Sequence, residues 1–320
     1  MAPVSGQGAE YYAGNCPAGI GVRLLVTATD PGEAVLAQAV AAYRRAFGAR
    51  LLAAYALGSL AHGGFSPLVS DIDLGLVLRD PVRLADRVTV RRVTGAVQAG
   101  GAVQSGGTGL HERLSVFWGT PATLAGQARG GRFPPLDRLD LLEYGRLLDG
   151  RDARDAVARP GPAELLVAGA EFALGYLGGA PSLPGRVRGW ARGRPGHDQA
   201  REEIRAPARL VARGPRRLTK VVLFPVRFLY TAATGRVGTN ALAAEHYLAT
   251  PRAPAAGLVT AALAWRREPP ADPDAAAALA GRELVPLYLQ YIDDHIARLT
   301  DAGRPDLSER FRRWRASLLA

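Results

Sequence analysis

One cysteine, Cys16, in 320 residues excludes a disulfide framework and any multi-thiolate metal site. No Gly-x-x-x-x-Gly-Lys-Ser/Thr run occurs, which excludes the P-loop route to a nucleoside triphosphate. Ser115 and Ser308 lack the surroundings of a nucleophile elbow. His197, His246 and His295 have no acidic or cysteine partners at ligand spacing, so zinc is not expected. A membrane span is also missing: the longest uncharged stretch, Leu51–Ser70, is continuously apolar only to Leu57. That is a buried strand, short of the ~20 residues a span needs. The opening MAPVSGQGAE has neither a basic n-region nor an apolar h-region, so a cytoplasmic location is expected. Lysine is almost absent. Lys220 is the only one among 40 basic residues, and a compact point charge in so arginine-rich a chain marks a candidate site residue.

What is present is a large apolar fraction, 48%, enough for packed cores in about two domains. The net charge of +11 is concentrated: Arg186–Lys220 carries ten arginines and the lysine against Asp198, Glu202 and Glu203. Such a patch suits a polyanion, whether a triphosphate, an acidic partner or nucleic acid; the plainer reading is a solvated arginine-rich face. Only Trp190 offers the patch an aromatic for stacking on single-stranded nucleic acid. Arg201, Arg205, Arg209 and Arg213 recur every fourth residue, as a solvated helix face or a phosphate-facing stripe.

Pro31–Phe47 reads as an amphipathic helix capped by Asp30. Leu51–Leu57, Ser70–Leu78 and Leu114–Trp118 read as strands, and Val88–Val97 as helix or strand. Asp137–Leu148 has helical spacing up to Asp149-Gly150. The charged, proline-bearing stretch Gly150–Pro162 reads as a linker. Beyond it come helices over Glu164–Tyr176, Leu210–Ala232 with a kink at Pro225, Ala241–Leu248, Ala255–Trp265, Ala275–Arg298 and Asp306–Leu319. A loop is expected over Gly178–Gly196. The expectation is α+β: a mixed sheet with flanking helices over residues 1–155, then an all-helical domain over 160–320.

Gly58-Ser59, eleven residues, then Asp71-Ile72-Asp73 is the most informative segment. A Gly-Ser pair after a strand lets backbone and hydroxyl approach a phosphate. Two aspartates one residue apart on a strand share a face, about 7 Å from each other, and form a platform for magnesium. His62, between the two pieces, reads as a turn residue.

In full, GSLAHGGFSPLVSDIDLGLVL resembles the signature of the DNA polymerase β-like nucleotidyltransferases, and among them the streptomycin/spectinomycin-type aminoglycoside adenylyltransferases. LFPVRFLYTAATGRVGTNALAAEHYL, Leu223–Leu248, is similar to that family's arginine–tyrosine–threonine-glycine segment. The resemblance implies Mg2+ on Asp71 and Asp73, ATP as co-substrate, and Gly58, Ser59 and Ser70 beside its phosphates. It also implies a third carboxylate near the strand Leu114–Trp118, for which Glu112 is the candidate and His111 the other proton acceptor at hand. The family lysine after the threonine-glycine pair is replaced by Asn240, so Lys220 or Arg236 would supply that charge. The implied reaction moves AMP from ATP to a hydroxyl of a small molecule, with Asp137, Asp140 and Glu143 suited to the side of a cationic, aminoglycoside-like acceptor. A macromolecular acceptor, protein or tRNA, is the alternative that the basic patch favours. A nucleotide-binding module without turnover is the alternative that the missing lysine and displaced carboxylate favour.

Overall fold

The computed structural model describes residues 30–104, 109–178 and 202–320. Cys16, Trp190, His197, Arg201 and the basic patch up to residue 201 lie outside the described residues, as does the expected loop beyond Gly178. The described chain is α+β: a mixed four-stranded sheet with flanking helices, followed by helices. None of the described helices is long and apolar enough to cross a membrane.

Helix α1 (Pro31–Phe47) starts where the Asp30 carboxylate accepts the Gly32 N–H at 2.8 Å, with Pro31 in the first turn. It leads into β1 (Leu51–Leu57), and a one-turn helix α2 (Gly58–Ala61) follows the strand directly. β2 (Ile72–Leu78) runs back antiparallel to β1, pairing Leu57 with Asp73. The long α3 (Leu84–Gln104) settles the ambiguous Val88–Val97 as helix and returns the chain to β3 (Leu114–Gly119), parallel to β2. Tyr43 ties α1 to α3 through the Val90 carbonyl at 3.2 Å and the Thr94 hydroxyl at 2.6 Å. α4 (Pro121–Leu124) and α5 (Pro135–Tyr144) then cover the opposite face.

The spacing that predicts one helix over Asp137–Leu148 spans two elements. α5 ends at Tyr144, and Arg146–Gly150 forms β4, antiparallel to β1, giving the order β3-β2-β1-β4. The break falls at Gly145, where a Cβ would come within 2.4 Å of the Leu141 carbonyl oxygen. Both faces of β1 are buried, so its run LLAAYAL does not alternate in polarity. Tyr55 and Leu57 pack toward α5, and Ala54 and Ala56 toward α1 and α3. The expected linker is docked rather than free: Val157 is buried in the core beside α5, and the Ala158 N–H donates to the Leu124 carbonyl at 3.0 Å.

α6 (Pro162–Tyr176) opens the helical half. The stretch expected as one helix over Leu210–Ala232 is broken at Gly214 into α7 (Pro207–Ala212) and α8 (Pro215–Thr234), and α8 continues through a buried Pro225. α9 (Asn240–Leu248), α10 (Ala256–Ala264), α11 (Pro273–Asp301) and α12 (Pro305–Leu319) complete it. α8 is the hub, against α6, α7, α9, α10 and α11. The two halves share a small apolar contact of Leu139, Leu165 and Val237.

Candidate active site

The antiparallel pairing of β1 with β2 sets the end of one strand beside the start of the other, so Gly58 lies over Asp73. A Cβ on Gly58 would stand 2.4 Å from Asp73 Oδ2, and the residue has φ +61°, so only glycine fits without strain. The following turn is closed by backbone bonds from the His62 N–H to the Gly58 carbonyl, 3.0 Å, and from the Gly64 N–H to the Ser59 carbonyl, 2.9 Å. Ser59 is half-buried in that turn. Ser70 is buried, and its hydroxyl accepts the Ser66 N–H at 3.0 Å.

Asp71 and Asp73 follow, on one face. Asp71 is held by two cations from α8: Lys220 Nζ on one carboxylate oxygen and an Arg216 amine on the other. Burial by itself would raise the Asp71 pKa, but Lys220 and Arg216 outweigh it and hold the carboxyl below its ordinary range. Among the described residues Asp73 has no such partner. Its burial, reinforced by the charges of Asp71 and Asp140, pushes it up to about 7.

α5 brings further carboxylates to the same place. Asp140 Oδ2 accepts the Gly58 N–H at 2.6 Å, and Asp140 Oδ1 lies 2.5 Å from His62 Nε2. Burial and the charges of Asp73 and Asp140 raise Asp137 well above an ordinary carboxyl. Glu143 turns to the helical half, accepting the Val237 N–H at 3.0 Å and pairing with Arg159. Arg227, on the α8 face that carries Lys220, reaches the Gly238 carbonyl at 2.5 Å. Burial lowers its pKa against the attraction of Asp140, Asp73, Asp137 and Asp71, and a guanidinium in that field stays charged.

Arg266, just past α10, clamps the loop that leads to Asp71. Its guanidinium donates to the Gly64 carbonyl at 2.7 Å, and its own carbonyl accepts the Ser66 hydroxyl at 2.5 Å. Burial and nearby Arg227 push Arg266 down to about 10. From the other side Arg113 donates to the Pro67 and Leu68 carbonyls, at 2.8 and 3.1 Å.

The structure thus brings together Gly58, Ser59, Ser70, Asp71, Asp73 and Lys220. Glu112 is exposed on the 3-10 turn His111–Arg113, just before β3. The β3 residue paired with Asp73 in the parallel ladder is Ser115, which offers no carboxylate. His111 bonds the Gln38 side chain at 2.7 Å. Arg236 is exposed on the turn after α8. Arg216, Arg227 and Arg266 went unassigned by sequence reasoning. The first two share a helical face with Lys220, a periodicity legible in the chain; Arg266 has no local signal. The described part of the basic patch is largely engaged. Arg209 pairs with Glu202, Arg213 and Arg217 with Glu203, and Arg216 and Lys220 with Asp71.

Two carboxylates suit magnesium, which takes one or two from protein and completes its shell with water and substrate phosphates. Among the described residues no group of three or more His, Cys, Asp or Glu is arranged to hold a metal ion.

No protein-family model matches the chain, and no curated protein does. Among solved structures it is similar to the spectinomycin adenyltransferase AAD(9) from Enterococcus faecialis, solved with ATP and spectinomycin. That likeness has 11% identity and a TM-score of 0.47 over 79% of this chain and 98% of the other.

Proposed function

We propose that this chain is a magnesium-dependent nucleotidyltransferase that moves AMP from ATP to a hydroxyl of a small molecule, an aminoglycoside-like antibiotic being the favoured acceptor. The observation that carries the reading is the meeting of a Gly-Ser turn, two carboxylates at the start of β2 and a row of helical-half cations at one point. Asp71 and Asp73 would hold the metal. When bound, magnesium supplies neutralising charge to the triphosphate and to the pyrophosphate that leaves.

The residues of the chain divide the remaining work. Ser59 offers its amide and hydroxyl to the terminal phosphates, Gly58, whose own N–H is held by Asp140, lets the turn approach them closely, and Ser70 stands at the same loop. Lys220 and Arg216 exchange Asp71 for the triphosphate, a swap of one anion for another that keeps both charges paired. The acceptor oxygen forms a bond to the α-phosphorus as the bond to pyrophosphate breaks, and its proton passes to a carboxylate. Glu112, on the exposed turn, and Asp137, recessed beside Asp73, are the candidates for that carboxylate. Arg236, exposed on the turn after α8, is the second candidate cation for the phosphates.

Ser115 beside Asp73 favours a second reading, in which the chain binds nucleotide without turnover. Incubation with α-labelled ATP, magnesium and an aminoglycoside panel tests the first. Label transferred to an acceptor with release of pyrophosphate supports it. ATP binding with no transfer to any acceptor, small or macromolecular, supports the second, and no ATP binding defeats both.

A further inference from the structure

Asp140 was a candidate for lining the acceptor side, yet both its carboxylate oxygens are engaged elsewhere. One accepts the Gly58 N–H at 2.6 Å and the other meets His62 Nε2 at 2.5 Å. Its side chain is 11% exposed and that of His62 8%, so the pair is largely removed from solvent. Tyr144, one turn further along α5, sets its ring edge-on to His62 with centroids 4.6 Å apart. Gly58 and His62 are the first residue of α2 and the residue that caps it, so Asp140 grips the turn at both ends.

The grip extends to the other half of the molecule. Leu139, adjacent to Asp140, packs against Leu165 and Val237, and Glu143 accepts the Val237 N–H. α5 is therefore seated on the helical half by one side and on the Gly58-Ser59 turn by the other.

We infer that Asp140, with His62, is a positioning residue for nucleotide binding. It fixes the Gly58-Ser59 turn in its phosphate-receiving shape and couples that shape to the seating of α5 on the helical half. The inference rests on the nucleotide reading proposed above. The physical reason is the freedom of the turn: Gly58, with no Cβ, has many backbone conformations open to it, and a charge-assisted bond to its N–H holds it at φ +61° beside Asp73. Asparagine can reproduce both contacts, accepting from Gly58 through its oxygen and donating to His62 through its nitrogen. Alanine reproduces neither.

The test uses the full chain with Asp140→Ala, Asp140→Asn and His62→Ala. Binding of a non-hydrolysable ATP analogue with magnesium, hydrogen exchange at the Gly58 amide, and acceptor KM are measured. Asp140→Ala is expected to weaken the analogue by about tenfold or more, the loss of one charge-assisted hydrogen bond, and to speed Gly58 exchange. Asp140→Asn should stay within about threefold of the parent in both, and His62→Ala should fall between the two. Acceptor KM should be unchanged in each. If Asp140→Ala does not fold, Asp140→Asn and His62→Ala carry the test by the same expectations. Analogue binding equal to the parent in Asp140→Ala and His62→Ala, or a rise in acceptor KM alone, would overturn the inference. A parent that binds no nucleotide would defeat the proposed function instead; Gly58 exchange unmoved by any variant would defeat only the role of Asp140.

Discussion

Lys220 and Arg216 make a prediction of opposite signs. Both oxygens of Asp71 are taken by these cations, so a metal ion arriving without a phosphate must displace them unaided. The Lys220 side chain is 15% exposed and that of Asp71 29%, so the pair is partly screened. A hydrogen bond to a charged group contributes about 1.5–3 kcal/mol, and partial exposure places this one toward about 1–2 kcal/mol. Arg216, at 44% exposure, is weaker still as a remaining competitor. In Lys220→Met, Mn2+ used as a magnesium probe should bind the nucleotide-free protein about 5–30-fold more tightly, the factor that 1–2 kcal/mol represents.

The same substitution removes a cation from the triphosphate, so a non-hydrolysable ATP analogue with magnesium should bind more weakly by a similar factor. Lys220→Arg should lie between parent and Met in both titrations, since a planar fork keeps the charge and loses the compact geometry. Mn2+ binding is read by electron paramagnetic resonance and analogue binding by calorimetry. Lower affinity for both, or no change in either, would refute the exchange of partners.

Asp71→Asn and Asp73→Asn should each reduce nucleotide transfer below about a tenth of the parent, since a lost metal ligand costs several kcal/mol of charge stabilisation. Without ligands, Asp73→Asn should also melt higher than the parent at alkaline pH. The folded carboxyl titrates at about 7, above its ordinary value of 3.8, so its stabilising contribution is whole below the ordinary value and is lost as pH rises through 7. A melting temperature that does not diverge between pH 4 and 8 would contradict this. Glu112→Gln and Asp137→Asn separate the two proton acceptors: the true one loses kcat with ATP affinity unchanged, and equal kcat in both variants dismisses both. Gly58→Ala should destabilise the fold by about 1–3 kcal/mol, from the left-handed backbone and the contact with Asp73, and abolish analogue binding; a melt like that of the parent would show that the turn relaxes freely.

Much of the fold is legible in the chain because its signals are local. Asp30-Pro31 starts α1, period-two alternation marks β2, and long apolar faces mark the helices. β4 escapes because a five-residue edge strand, RLLDG, continues the spacing of α5, and only Gly145 records the break. The division at Gly214 is likewise one residue deep. Within the site, Gly58, Ser59, Asp71 and Asp73 lie within one short segment, so strand–turn–strand geometry places them. Lys220 stands out by composition alone, as the single lysine.

What the sequence by itself determined is therefore the turn, the carboxylate pair and the identity of the unusual cation, since each depends on neighbours a few residues away or on rarity. The tertiary structure alone decided which charges meet. Asp71 and Lys220 are 149 residues apart, Gly58 and Asp140 are 82, and the loop before Asp71 is clamped by Arg266 some 200 residues on. Those distances close only when α8 packs on α6, α10 and α11 and the helical half docks on α5. That docking follows from apolar burial, which is indifferent to sequence order: periodicity shows which face of a helix is apolar, but not which other face it meets.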